Sequence, residues 1–286
     1  MTIVGSGDYK YRPVPWPKMP KYWSFAIASD AAVNSADEVY VFSRGDHPLT
    51  IWDTEGNLVS SWGEGTFFSS PHGIYIAPND NVWLVDTQFH IATEHEPGGR
   101  LLRTLGNKGV ASNTHGGKPF NMPSGLALAP NGDIFMSDGY GGHKVHKFSA
   151  DGELILSWGE RGTGPGEFAL LHNIWVDRDS RVFICDRENN RIQIFDDHGN
   201  FLEQWTDLSM PGDIWIKDDV VYVVEQGNGS AVGLWTHEGD PITRWRGNEG
   251  DGKGTLQGSH GISVDSEGSI YVAELTSGLV RKFERI

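Results

Sequence analysis

Residues 123–159 read PSGLALAPNGDIFMSDGYGGHKVHKFSADGELILSWG, and this stretch decides the fold. Short apolar runs alternate in it with the turn sequences Pro130-Asn131-Gly132-Asp133 and Asp151-Gly152. The apolar runs have the length and composition of β-strands, and the turn sequences favour reversal of the chain. The stretch therefore predicts four short strands that are joined by turns.

The same four-strand unit recurs along the chain. A large apolar residue marks its end, and the markers are 40 to 53 residues apart: Trp62, Leu105, Trp158, Trp205 and Trp245. Four-stranded units at this period are typical of the blades of a β-propeller. We count six blades, which begin near Phe25, His72, Ser124, His172, Gly212 and His260. The sequence thus predicts an all-β, six-bladed β-propeller. The alternative, a pair of β-sandwiches, does not account for six repeats in one register.

The two ends of the chain are predicted to meet in the last blade. The sixth blade has sequence for three strands before Ile286, and the N-terminal segment Tyr9–Val14 is predicted to supply its outermost strand. Pro13 and Pro15 suit an outer edge, where a missing N–H breaks no ladder hydrogen bond. Because no linker or change of composition divides the chain, we expect residues 1–286 to form one domain.

Composition limits the partners that we expect. The net charge of −15 disfavours nucleic acid and anionic membrane surfaces as partners. The sequence has no apolar run long enough to span a membrane, and its first residues lack the features of a signal peptide. The single cysteine, Cys185, excludes an intramolecular disulfide and is expected to be a buried, unreactive thiol. We therefore expect a cytoplasmic protein.

Three histidines occupy one register of the repeat, in alternate blades only. His72, His172 and His260 each precede a strand-like apolar run, whereas the other blades carry Phe25, Ser124 and Gly212 at this register. In a closed ring, equivalent residues of alternate blades would converge on the axis. Three neutral imidazoles with a fourth position open form the ligand pattern of a catalytic zinc ion. The alternative is that each histidine is an ordinary hydrogen-bonded core or surface group.

The remaining histidines show no such pattern, apart from His47 in a chemically distinctive loop. We interpret the others as loop or surface residues: His90, His95, His115, His143, His146, His198 and His237.

Three loops that follow the second strand of a blade carry further candidates. Arg44 is interpreted either as an ion-pairing surface residue or as an anion-binding group. Tyr140 lies between glycines and is either a general acid or base or an exposed loop tyrosine. Arg187 belongs to the sequence Asp186-Arg187-Glu188-Asn189-Asn190-Arg191, which either ties its loop together by hydrogen bonds or contacts substrate.

These residues together resemble a known family. The blades resemble NHL-repeat propellers over nearly the whole chain. More narrowly, the chain resembles the peptidyl-α-hydroxyglycine α-amidating lyases in the segments Arg44-Gly45-Asp46-His47, Pro71-His72-Gly73, Ser137-Asp138-Gly139-Tyr140, Pro165–His172 and Asp186-Arg187-Glu188-Asn189.

The resemblance implies a reaction and a role for each residue. His72, His172 and His260 would bind zinc or another divalent metal ion. Tyr140 would be the catalytic base, Arg44 would stabilise charge on the reacting groups, and Arg187 would contact the substrate. The family reaction cleaves a carbinolamide into an amide and glyoxylate, so the implied partner is a small-molecule or peptide-derived carboxylate.

Three positions depart from the family pattern. Gly261 replaces an aspartate that helps to hold a structural calcium ion in the family, which argues against calcium here. A methionine that the family has just before its third histidine is absent from Gln257-Gly258-Ser259-His260, so a smaller carbinolamine or hydroxy acid stays an equal alternative as substrate. Gly141 replaces a loop cysteine. Two other functions stay open: a metal-dependent hydrolase such as a lactonase, and a non-enzymatic interaction scaffold.

Overall fold

The computed structural model describes residues 2–67, 70–113, 119–248 and 250–286, so that His115 lies outside the described residues. The chain divides into two compact units. The first unit comprises Met1–Pro71 and Gly212–Ile286, and the second unit comprises His72–Pro211. The prediction of one domain over residues 1–286 stays a prediction.

The strands follow the repeat. Two strands precede it, β1 (Val4–Ser6) and β2 (Tyr9–Val14). Blade 1 has β3 (Ala28–Val33), β4 (Val39–Ser43), β5 (Leu49–Trp52) and β6 (Leu58–Trp62). Blade 2 has β7 (Pro71–Ile76), β8 (Val82–Asp86), β9 (Ile91–His95) and β10 (Leu101–Gly106). Blade 3 has β11 (Gly125–Leu128), β12 (Ile134–Asp138), β13 (Lys144–Phe148) and β14 (Leu154–Trp158).

The later blades continue this order after a short parallel pair, β15 (Glu160–Arg161) and β16 (Glu167–Phe168). Blade 4 has β17 (Leu171–Val176), β18 (Val182–Asp186), β19 (Arg191–Phe195) and β20 (Phe201–Trp205). Blade 5 has β21 (Pro211–Lys217), β22 (Val220–Glu225), β23 (Ala231–Thr236) and β24 (Pro241–Arg246). Blade 6 has β25 (Ser259–Val264), β26 (Ile270–Glu274) and β27 (Val280–Arg285). Short 3₁₀ helices span Arg187–Asn189 and Gly250–Gly252.

Each blade is an antiparallel meander with its strands side by side in chain order. In the described parts of the chain, five sheets have four such strands, and the sixth has five strands in the order β1-β2-β27-β26-β25. The second strand is fully buried in blades 1 to 4 and in blade 6, whereas the outer strands β6, β10, β14 and β20 are largely exposed. This gradient is expected when inner strands pack against neighbouring sheets. The prediction of an all-β, six-bladed β-propeller is confirmed.

The N-terminal segment closes the last blade, as predicted. Strand β2 pairs antiparallel with β27, with Tyr11 opposite Arg285 and Pro13 opposite Phe283. Strand β1, which was not predicted, covers β2 only along Tyr9–Tyr11. Pro13 lies beyond this covered part, so its missing N–H interrupts no pairing with β1.

The predicted start of blade 1 is wrong by three residues. Its first strand begins at Ala28, and Phe25 is instead a buried residue that packs on Trp52 with ring centroids 6.1 Å apart. A turn separates Phe25 from the strand, because Ala26 has a φ of 54° and the N–H of Ile27 donates to the carbonyl of Phe25.

Three histidines that were expected in loops or on the surface are buried. His95 and His146 are strand residues of β9 and β13, and His237 follows β23. Hydrogen bonds offset the free-energy cost of burying the two strand histidines. His95 bonds to Thr93, and His146 bonds to Asp138 and Ser157.

Two other expectations concern Cys185 and membranes. Cys185 is a free thiol buried in β18, as predicted. Within the described parts of the chain, no helix has the length and the apolar character needed to cross a membrane.

The packing of strand β2 against blade 5 should contribute to the free energy of unfolding. Tyr11 is fully buried and contacts Trp245 with ring centroids 5.5 Å apart. We expect Tyr11→Ala to lower the free energy of unfolding by about 3–5 kcal/mol, because it leaves a cavity between β2 and blade 5. Urea unfolding followed by Trp fluorescence measures the effect. The control Tyr22→Ala, at a side chain that is 91% exposed, should change it by less than about 0.5 kcal/mol. Equal effects of the two substitutions would contradict the role assigned to β2.

Candidate metal and catalytic site

The three register histidines lie at the start of first strands, and at two of them the pairing with the second strand is irregular. His172 falls in a register shift between Leu171 and Ile174 of β17, and His260 falls in one between Ser259 and Gly261 of β25. Irregularities of this kind redirect a side chain from the alternation of its strand. His72 is the second residue of β7, and all three histidines are at most 4% exposed.

Blade 1 has the same irregularity at Ser29. The pairing of β3 shifts between Ala28 and Asp30, so Ser29 is the residue at the histidine register. The prediction that Phe25 occupies this register is therefore wrong. A serine at this place matches Ser124 in blade 3.

These small residues hold the histidines through their backbone carbonyls. In the second unit, Nδ1 of His72 lies 2.7 Å from the carbonyl oxygen of Ser124. In the first unit, Nδ1 of His260 lies 2.6 Å from the carbonyl oxygen of Ser29. Because a carbonyl only accepts, each Nδ1 carries the proton, and Nε2 is the acceptor nitrogen of the neutral ring. Sequence reasoning missed this role, although the alternation of histidines with small residues was a signal for it.

The second unit brings three predicted site residues together. The rings of His72 and His172 have centroids 4.9 Å apart. The Tyr140 ring centroid lies 5.3 Å from that of His72 and 6.0 Å from that of His172. The Tyr140 hydroxyl lies 2.9 Å from Nε2 of His72 and donates to it, since Nδ1 of this ring is the donor to Ser124. Tyr140 is therefore within direct reach of a candidate metal ligand.

A buried carboxylate anchors the loop that carries Tyr140. Both oxygens of Asp138 lie 2.8 Å from the backbone N–H of Asn121, and one lies 3.3 Å from Nε2 of His146. The N–H of Tyr140 donates to the carbonyl of Met122. The loop is thus held to the segment before β11. The sequence did not predict that Asp138 and His146 interact, because this contact follows from the pairing of β12 with β13.

Gly139 lets the same loop approach the strand that carries His172. A Cβ atom at this position would lie 1.6 Å from the carbonyl oxygen of Leu171, the residue before His172. A side chain is therefore excluded at residue 139 unless the backbone moves. The close contact explains the glycine that precedes Tyr140.

The loop after β18 is tied together by hydrogen bonds, which is one of the two roles that the sequence left open. Asp186 accepts from Asn189 and Arg191, at 2.8 Å in each case, which ties the loop together. Arg187 is directed elsewhere: its Cζ lies 5.9 Å from the Tyr140 ring centroid, and its guanidinium pairs with the exposed Glu188. Arg187 is thus placed next to Tyr140, whereas Arg191 is structural.

Arg44 lies in the first unit, in the loop after β4. Its backbone N–H donates to the carbonyl of Ile27, and its Nε donates to the carbonyl of Pro71 at 3.3 Å. The side chain is half-buried. Among the described residues, no carboxylate forms an ion pair with its guanidinium. The chemistry available at Arg44 is therefore binding of an anion.

The loop of Arg44 is fixed by its neighbours. The ring of His47 stacks on Trp23 with centroids 3.4 Å apart, and its Nδ1 lies 2.9 Å from Glu64. The hydrogen bond from His47 lowers the pKa of Glu64 below its usual value. Trp23 and Glu64 thus restrain the loop at His47.

The structure explains the glycine at 261. A Cβ atom there would lie 2.0 Å from Oδ1 of the buried Asp30 of β3. The space beside His260 is therefore taken by a carboxylate group from the neighbouring strand. A side chain at residue 261 would have to displace Asp30.

The donor set fits a zinc ion. The three histidines are buried, and in His72 and His260 a backbone carbonyl holds Nδ1 as the donor, which leaves Nε2 as the atom that can bind a metal. A ligating histidine in a metal site ordinarily donates its other N–H to such a partner. Neutral imidazoles suit zinc better than they suit calcium or magnesium.

Comparison with known proteins relates this fold and these residues to others. A family model described as a 6-bladed β-propeller matches residues 128–203. The structure is similar to that of a streptogramin B lyase, with a TM-score of 0.68 over 98% of this chain and 99% of that one at 13% identity. At 13% sequence identity, this comparison shows that the two proteins share a fold and no more than that.

Two relatives are similar in sequence. The chain is 29% identical to peptidyl-alpha-hydroxyglycine alpha-amidating lyase 1 of Drosophila melanogaster, over 82% of this chain and 48% of that protein. It is 30% identical to NHL repeat-containing protein 3 of Homo sapiens, over 94% of this chain and 82% of that protein. The chain belongs to the NHL-repeat family of six-bladed β-propellers that includes NHL repeat-containing protein 3 and, more distantly, the α-amidating lyases.

Proposed function

We propose that the protein is a zinc-dependent carbon–nitrogen lyase. Its substrate would be an α-hydroxyglycine-type carbinolamide, or a smaller analogue, and its products an amide and glyoxylate. The observation that carries the proposal is the cluster of His72, His172 and Tyr140 in the second unit. The similarity to an α-amidating lyase of Drosophila melanogaster supports it.

The proposed ligands of zinc are His72, His172 and His260. Their common register in alternate blades and the carbonyl-bound Nδ1 of His72 and His260 support this choice. When bound, zinc would act as a Lewis acid that polarises the oxygens of the substrate.

Tyr140 is the proposed catalytic base. In the reaction, Tyr140 would act as the phenolate, its own proton having passed to solvent, and its oxygen takes the proton from the substrate hydroxyl group while the C–N bond breaks. The electron pair of the O–H bond forms the new carbonyl of glyoxylate, and the electron pair of the C–N bond goes to nitrogen. Tyr140 then passes the proton taken from the substrate to the leaving nitrogen, which completes the amide. Arg187, whose Cζ is 5.9 Å from the Tyr140 ring centroid, would stabilise negative charge on Tyr140 and contact the substrate.

Arg44 is the proposed binding group for the α-carboxylate. A guanidinium binds a carboxylate through two parallel hydrogen bonds, and the Nε of Arg44 is already used by the carbonyl of Pro71. Its two terminal nitrogens are therefore the atoms that would meet the substrate.

A second candidate function is a non-enzymatic scaffold. The similarity to NHL repeat-containing protein 3, which extends over 94% of this chain, favours it. A scaffold does not require bound metal, so metal content separates the two candidates.

Zinc content is the first test. After zinc loading and dialysis, the wild-type protein should retain about one zinc per chain, and His72→Ala, His172→Ala and His260→Ala should each retain less than about a tenth of it. The control His198→Ala, at a side chain that is 78% exposed, should retain the wild-type amount. Elemental analysis gives the answer. Zinc content that none of the three substitutions lowers would contradict the site.

A second test concerns the carbonyl that holds His72. A Cβ atom on Gly73 would lie 2.6 Å from the carbonyl oxygen of Ser124. Gly73→Ala should therefore disturb the hydrogen bond from His72 and weaken zinc binding by about 10- to 100-fold. Competition with a chelator measures the affinity. Gly98→Ala is the matched control, because a Cβ atom there meets no atom within 4 Å. Unchanged affinity in Gly73→Ala would show that this carbonyl does not orient the ligand.

The reaction itself is tested with α-hydroxyhippurate. Zinc-loaded protein should release glyoxylate, and Tyr140→Phe should lower kcat by about 10²- to 10⁴-fold while zinc content stays unchanged. Tyr22→Phe, at an exposed residue, serves as the control. Absence of glyoxylate from this and smaller carbinolamides would refute the lyase proposal, and full activity of Tyr140→Phe would refute the role of Tyr140.

A further inference from the structure

A small pocket lies in the first unit beside Arg44. Its volume is about 240 Å³, and its walls include Arg44, Asp46, Pro48, Phe67 and Pro71. We call it the Arg44 pocket. Its lining residues thus include one with a guanidinium group, one with a carboxylate group, two prolines and a phenylalanine. A cavity with these walls suits a molecule that joins a carboxylate to an apolar group.

The walls of the Arg44 pocket are held in place before any ligand binds. Phe67 is buried and packs edge-on against Phe42, with ring centroids 5.2 Å apart. The Nε of Arg44 is bonded to the carbonyl of Pro71, another wall residue. Gly45, which also lines the pocket, packs so closely that a Cβ atom there would lie 2.5 Å from the carbonyl oxygen of Ser24. Preformed walls reduce the entropy that ligand binding would cost.

The two charged groups of the pocket are available to a ligand. In the described part of the chain, neither Arg44 nor Asp46 forms an ion pair with another side chain. Arg44 therefore attracts one carboxylate, whereas the exposed Asp46 repels a second negative charge. The pocket discriminates by charge as well as by shape.

We propose that the Arg44 pocket binds the N-acyl group of the substrate and selects a small, apolar acyl group without a second negative charge. This inference rests on the proposed function, in which Arg44 binds the α-carboxylate. With the carboxylate on Arg44, the acyl group lies a few bonds away and contacts Phe67, Pro48 and Pro71. The volume is below the roughly 300–1,000 Å³ of common ligand pockets, so the pocket holds one residue-sized group. The remainder of a longer peptide would extend into solvent.

Binding of unreactive N-acylglycines tests the pocket. These compounds keep the carboxylate and the acyl group and lack the hydroxyl group, so they bind without turnover. With zinc-loaded protein in isothermal titration calorimetry, hippurate should bind about tenfold more tightly than N-acetylglycine, because its phenyl ring contacts Phe67. N-Succinylglycine should bind more weakly than N-acetylglycine, because of Asp46.

Substitutions of Phe67 and of Asp46 separate the contributions of the apolar wall and the charged wall. Phe67→Ala should reduce the preference for hippurate over N-acetylglycine to less than about threefold. Phe67→Leu, which keeps an apolar side chain in this buried position, guards against a loss of folding and should give an intermediate preference. Asp46→Asn should abolish the discrimination against N-succinylglycine. Phe201→Ala, on the outer strand β20, is the control and should behave as wild type.

The results of these binding measurements test the Arg44 pocket independently of the lyase reaction. No preference for hippurate in the wild type, or full preference in both Phe67 variants, would overturn the assignment of the apolar wall. Discrimination against N-succinylglycine that persists in Asp46→Asn would overturn the assignment of the charged wall. Since no compound in this test is cleaved, absence of glyoxylate release refutes the lyase without affecting these measurements. Conversely, glyoxylate release without acyl preference would leave the lyase intact and refute the pocket.

Discussion

The hydrogen bond from a histidine Nδ1 to a backbone carbonyl of the neighbouring blade is the interaction on which the candidate site depends. His72 makes it to Ser124 in the second unit, and His260 makes it to Ser29 in the first. The bond orients the ring, determines which nitrogen carries the proton, and joins the first strands of two blades. The accepting carbonyls belong to serines, and at His260 a pairing irregularity redirects the histidine side chain.

A second recurrent interaction positions the loops around the site. A buried carboxylate ends the second strand of blades 3, 4 and 6, and it accepts from the backbone N–H of the segment before the first strand. Asp138 accepts from Asn121, Asp186 from Ala169, and Glu274 from Gln257. Because this anchor holds the ends of each loop, the residues between the ends are free to differ. Tyr140 and Arg187 occupy such places, which is how one repeated scaffold presents different chemistry in different blades.

Family membership and function are separate questions for this chain. The fold is shared with propellers whose names describe a lyase and with one whose name describes only its repeats. The proposed catalytic function is supported by the arrangement of two side chains. A tyrosine hydroxyl lies 2.9 Å from a buried imidazole, and an arginine has no carboxylate partner among the described residues.

Local patterns in the sequence determined the fold and the candidates. Turn residues between short apolar runs predicted the blades. The repeat period alone placed His72, His172 and His260 at the same position of alternate blades. The N-terminal closure by β2 followed from the count of strands in blade 6. The error at Phe25 arose where a turn with positive φ at Ala26 displaced the start of the strand from the start of the apolar run.

The tertiary structure decided how these residues meet. The carbonyls of Ser29 and Ser124, the pairing of Asp138 with His146, the contact of Gly139 with Leu171 and the walls of the Arg44 pocket join residues that are far apart in the chain or in different strands. Periodicity in a sequence determines which face of a strand a residue occupies, but a hydrogen bond or a pocket depends on distances of a few ångströms between separate strands. Those distances are determined by the packing of the blades.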